Sequence, residues 1–320
     1  MTFSATDAAL EGFRIARERP MAMVIWALAS LVISLVSSVG AVSMFGGTLN
    51  QLTEMSGTGS SDPEQALAMM GQLGLLYLFI LPIALLIFSV FTTAVYRAVL
   101  RPSDSAFAYL RLGAAELRIA VVLVVLFLLG LVVLIGILIL FALVAALLGG
   151  VLAMGDGGGM GAMGVFAVVV LLGYIGMFFV SLAFWTKFSL AGPMTFAEGR
   201  IRIFGSWGAT KGRFWALFGS YLLAGILGII VSLLGGAISL AIMVALGGAS
   251  AGGADFTALL EAMQADYSSL AVFFTPAMLA NMVVSALFSA LTYAIILAPP
   301  AVAYREIVAR SSPAVADSFS

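Results

Sequence analysis

Six long stretches without a charged residue divide this chain, and each has a base at one end and an acid at the other. They run from Arg19 to Glu54, Glu64 to Arg97, Arg118 to Asp156, Asp156 to Lys187, Arg213 to Asp255, and Asp266 to Arg305. A helix needs about 20 apolar residues to cross a bilayer, so each stretch holds one span with residues to spare. The pattern predicts an all-α, polytopic membrane protein with six transmembrane helices, at about 21–46, 72–97, 119–148, 164–187, 215–247 and 272–298. Successive spans pair as three hairpins within a single domain, 21–304. Residues 1–20 form a cytoplasmic amphipathic segment, and 305–320 a disordered cytoplasmic tail.

All 14 lysines and arginines fall in four clusters: Arg14, Arg17 and Arg19; Arg97, Arg101, Arg111 and Arg118; Lys187, Arg200, Arg202, Lys211 and Arg213; and Arg305 with Arg310. The three intervening loops hold only acids, Glu54, Asp62 and Glu64, then Asp156, then Asp255, Glu261 and Asp266. Lysine and arginine stay on the cytoplasmic side of a membrane, so both termini are expected there, in a bacterial inner membrane. The run after Arg19 continues past Phe45, too far for a cleavable signal peptide, and reads as a retained first span. The third acidic loop has room for a short helix, Phe256 to Tyr267.

Composition narrows the function. Sixty-three per cent of the residues are hydrophobic and 9% charged, which leaves lipid as the solvent. A net charge of −1 gives no basic surface for nucleic acid. With no cysteine and no histidine, disulfides, thiolate nucleophiles, Cys or His zinc sites and Ser-His-Asp arrangements are all excluded. No cofactor is expected. The run Gly159 to Gly164 matches a dinucleotide pattern in spelling alone, lacking a strand and helix around it.

Trp26, Trp185, Trp207 and Trp215 lie near the basic ends, where indole suits the headgroup region, although Trp26 could equally pack the bundle. Arg97 and Lys187 are expected to snorkel there. Pro82, Pro299 and Pro300 mark kinks or helix ends. Amphipathic stretches precede the odd-numbered spans and are expected to lie on the membrane surface. In the first, Asp7, Glu11, Arg14 and Glu18 form the polar stripe, with Leu10 and Phe13 on another side. An apolar residue six positions before an arginine recurs as Phe13 with Arg19, Leu112 with Arg118 and Trp207 with Arg213, which suggests three copies of one unit.

The segment from Leu190 to Gly219 is the most distinctive. Its Pro193, Glu198, Ser206-Trp207, Thr210-Lys211-Gly212 and Phe214-Trp215 resemble a bacterial superfamily of six-span proteins. That group includes the membrane domain of glycerophosphoryl diester phosphodiesterases. The resemblance implies a membrane module linked to lipid or envelope physiology, without catalytic residues to transfer. Physically, Trp207, Phe214 and Trp215 can anchor at the interface while Lys211, Arg213, Arg200 and Arg202 meet anionic headgroups, and Gly208 and Gly212 permit a bend.

Within the spans, Asn281, Ser285, Ser289 and Thr292 share one helix face. They line a polar pathway or bond between helices. Ala224 with Gly228, and Ser232 with Gly236, read as packing faces. The expected function is non-enzymatic: a lipid-interacting or envelope-assembly module, whose partners are membrane lipids with anionic headgroups and a second membrane protein or copy of itself. The alternatives are a small-solute transporter or channel, and an intramembrane enzyme centred on Glu198.

Overall fold

The computed structural model describes residues 3–58, 63–154, 160–246 and 270–308. These are helical, with no strand among them, in nine α-helices: α1 (Ala5–Glu18), α2 (Pro20–Thr58), α3 (Pro63–Leu100), α4 (Ala114–Met154), α5 (Met160–Phe188), α6 (Ala191–Glu198), α7 (Gly205–Ala209), α8 (Phe214–Leu246) and α9 (Pro276–Ile307). Short 3₁₀ turns occupy Ala106–Tyr109 and Leu270–Phe274. Helices α2, α3, α4, α5, α8 and α9 are each long and apolar enough to cross a membrane, so the chain is a multi-pass membrane protein. Asp62, Asp156, the third acidic loop with its expected helix at 256–267, and the tail from 309 lie outside the described residues.

Local chemistry sets the helix ends. Ser4 caps α1 by accepting from the Asp7 amide at 3.3 Å. Pro20 then opens α2, and a residue before proline is driven out of helical backbone, so Arg19 (φ −134°, ψ 58°) separates the two helices. Thr275 caps α9 in the same way as Ser4, with Pro276 following. Gly199, at φ 67°, ends α6 in the left-handed conformation. The expected interruptions at Pro82, Pro299 and Pro300 do not end helices, because α3 and α9 continue through them.

Helix α9 is the centre of the bundle, in contact with α1, α2, α3, α6 and α8. α2 packs more on α9 than on its sequence neighbour α3, while α4 pairs with both α3 and α5. Of the apolar pair on α1, Phe13 packs, partly buried, against the cluster of Ala9, Ala224, Val231 and Ile295, whereas Leu10 is exposed. The helix docks on α9 and α8 through Ala8, Ala9, Gly12 and Ile15, with Glu11 buried. Its small side chains allow the approach: a Cβ on Gly12 would sit 2.4 Å from the Ile295 Cα.

Packing is concentrated near the basic ends. The largest cluster joins Ile15, Trp26, Phe91, Val95, Leu100, Ile119, Leu190, Leu217, Ala298 and Tyr304. Beyond Leu126 no described α4 side chain is buried, and no described α5 side chain is buried before Thr186. The three segments preceding α2, α4 and α8 are a 14-residue helix, a 3₁₀ turn and a pair of short helices. They share no conformation that would mark a repeated unit.

Candidate functional site

Three groups of side chains stand out, two at the basic end and one along the membrane-spanning part of α9. The innermost is an ion network on α3 and α4. Arg97 and Glu116, both buried, meet at 2.6 Å, and Asp104 lies 3.7 Å from the Arg97 Nε. Arg97 therefore does not snorkel to an interface. A carboxylate 19 residues further along supplies its counter-charge, and the Tyr109 carbonyl accepts another of its hydrogens. Arg19 and Arg305 donate to the Ala98 and Val99 carbonyls at 2.8 and 3.2 Å, satisfying the open C-terminal end of α3.

This network braces an unusual turn. Phe107, Ala108 and Tyr109 all have positive φ, 52°, 54° and 68°, a conformation costly for residues with a Cβ and kept only where the surroundings hold it. The Trp26 indole donates to the Ala108 carbonyl at 2.7 Å, and the Tyr109 hydroxyl to the Pro102 carbonyl at 3.0 Å. Trp26, fully buried, is a core residue and not part of an interfacial belt.

The second group is the segment singled out by its sequence. Trp185, Trp207 and Trp215 are exposed, as are Phe204 and Ile201. Lys187 lies over the Trp207 and Phe214 rings at 5.5 and 6.0 Å, a cation–π arrangement. Lys211 and Arg213 are exposed and have no ion-pair partner among the described residues. Arg200 and Arg202 instead bridge Glu198 at 3.1 and 3.3 Å, which reduces their availability to an outside anion. Glu198 thus sits against the arginines of its own segment. Ser206 is structural: its hydroxyl donates to the Lys187 carbonyl at 2.7 Å and accepts from the Leu190 amide at 3.1 Å, tying α7 to the end of α5. Gly212 turns with φ 77°, whereas Gly208 lies within α7.

The third group is the polar face of α9. Asn281, Ser285, Ser289 and Thr292 do come together, lining one recess of about 470 Å³ with Ser232, Gly235, Gly236 and Ser239 of α8. Of the α8 half of this recess, sequence spacing marks Ser232 with Gly236 as a packing face but not as part of a recess, and Ser239 recurs on the same helical face. Helix contact is made instead at Gly228, which sequence spacing pairs with Ala224 as a packing face, and at Gly235. A Cβ on Gly228 would meet Ile296 at 3.1 Å, and one on Gly235 would meet Phe288 at 2.7 Å, while Gly236 faces open space.

Among the described residues no group of three or more His, Cys, Asp or Glu side chains is placed to hold a metal ion. The chain matches no family model, no curated protein and no solved structure.

Proposed function

We propose that this chain is a non-enzymatic, lipid-interacting module of a bacterial inner membrane, with both termini cytoplasmic, serving envelope or complex assembly. It engages anionic headgroups of the cytoplasmic leaflet through the segment that joins α5 to α8. One observation carries this reading: Trp207 and Trp215 are exposed beside Lys211 and Arg213, and no carboxylate within the described residues neutralises these two bases. Indole rings suit the headgroup level, and free cations there attract phosphate. Kinship with the six-span phosphodiesterase membrane domains belongs to the same proposal, on Pro193, Glu198, Ser206, Trp207, Thr210, Lys211, Gly212, Phe214 and Trp215.

Each base near an anionic surface contributes about 1 kcal/mol. Replacing Lys211 and Arg213 by Ala should therefore weaken the retention of anionic phospholipid by detergent-purified protein roughly thirtyfold. Zwitterionic lipid should be retained as before. Unchanged anionic lipid content, measured by mass spectrometry of the purified protein, would refute the contact. Arg200→Ala with Arg202→Ala should have the smaller effect, since Glu198 already engages both.

A further inference from the structure

The recess between α8 and α9 sets a problem that lipid cannot solve. From Asn281 to Thr292 the polar face extends about 16 Å along α9, roughly half of a ~30 Å hydrocarbon core. Four of its groups, the Asn281 amide and the hydroxyls of Ser239, Ser285 and Ser289, have no hydrogen-bond partner among the described residues. A single hydroxyl contact, Ser232 to Thr292 at 3.5 Å, crosses the recess. Hydrocarbon chains offer neither donors nor acceptors, and polar groups left bare in them are costly.

The chemistry of the face narrows what can cover it. No charged residue lines it, so an ionic ligand has no counter-charge to meet. Every polar side chain on it both donates and accepts: hydroxyls carry one hydrogen and two lone pairs, and the amide has an NH₂ and a carbonyl. Such a surface is complementary to itself. It is also open to close approach, because Ser232, Ser285 and Gly236 are exposed and a Cβ on Gly236 would touch nothing within 4 Å. Small residues beside hydroxyls and an amide are what helices in a membrane use to associate.

We propose that this face is the interface between two copies of the chain, related by a twofold axis along the membrane normal. A twofold interface is isologous, so each side chain near the axis meets its own counterpart. With both copies in one orientation, the two Asn281 side chains lie at the same depth and pair amide to amide, and Ser285 and Ser289 lie beside the axis. The recess is then closed by protein, and the paired amides replace groups that hydrocarbon would leave unsatisfied.

The chain has no cysteine, so a single introduced thiol reports its position without background. Ser285→Cys and Ser289→Cys, each made alone and oxidised in the native membrane, should yield a disulfide-linked dimer. Val283→Cys, at a similar depth and exposed on another side of α9, should not. Adding Asn281→Leu to the Ser285→Cys protein should weaken association roughly tenfold at limiting protein-to-lipid ratio. The proposal is overturned if neither the Ser285→Cys nor the Ser289→Cys protein cross-links, or if the Val283→Cys protein cross-links equally well. Labelling of the thiols introduced at Ser285 and Ser289 by a water-soluble maleimide, without dimer formation, would make the recess an aqueous solute pathway and overturn it too. None of these outcomes depends on Lys211 or Arg213.

Discussion

Arg97 and Glu116 form a salt bridge withdrawn from water, with exposures of 5% and 2%. Pairing two buried charges gains little net stability, because the attraction mostly repays their desolvation, but stranding one of them is costly. Glu116→Leu alone should destabilise the folded protein by about 3–5 kcal/mol, whereas Arg97→Met with Glu116→Leu should cost far less. Thermal unfolding in detergent, monitored by tryptophan fluorescence, checks this; a double variant as damaged as the single one would contradict it. In the sequence Arg97 is visible as the base that closes the second apolar stretch, whereas Glu116, two residues before Arg118, stands among the charges between stretches with nothing to mark it. Their pairing depends on the turn at Phe107–Tyr109, whose left-handed backbone has no signature in Phe-Ala-Tyr. The Trp26 indole has the same status: its hydrogen-bond acceptor, the Ala108 carbonyl, comes from that turn.

Helix α1 shows how far periodicity alone carries an element. Its charges repeat at helical spacing, and that pattern correctly gives a helix. The side it buries is set instead by size, through Ala8, Ala9 and Gly12 against α9. The matching signal lies in α9, where Ala286, Ala290, Ala294 and Ala298 recur every fourth residue. Alanines at that interval form a shallow groove into which a small-faced helix can settle. Gly12→Val should therefore displace α1, because a Cβ there would fall 2.4–2.6 Å from backbone atoms of Ala294 and Ile295. The expected result is faster proteolysis at Arg14 and Arg17 and a lower melting temperature. Gly40→Ala, which meets nothing within 4 Å, should leave α1 protected and hold or slightly raise stability, since alanine favours helix by about 1 kcal/mol. Equal protease sensitivity in both variants would mean that the Gly12 contact does not hold α1 in place.

At the scale of the whole molecule, the most apolar span is not the most buried one. The span in α4 has the highest mean hydropathy, 3.5, yet few of its residues are buried, while α9 has the lowest, 2.0, and is the most buried. In water that order would be paradoxical, but lipid tails are as apolar as leucine, so a helix facing them can be leucine-rich throughout. A helix packed against its neighbours can instead use Ala, Ser and Gly. Charge alternation could thus reveal the number of spans, while hydropathy could not say which span is central. The same asymmetry predicts where truncations matter. Leu217, fully buried on α8, should lose about 2–5 kcal/mol as Leu217→Ala, because its removal leaves a cavity among close-packed side chains. Leu140, 63% exposed on α4, only exchanges one lipid-facing apolar surface for a smaller one, and Leu140→Ala should stay within about 0.5 kcal/mol. Thermal unfolding of the two variants in the same detergent measures the difference directly. Comparable losses would require the far half of α4 to be packed against protein rather than lipid.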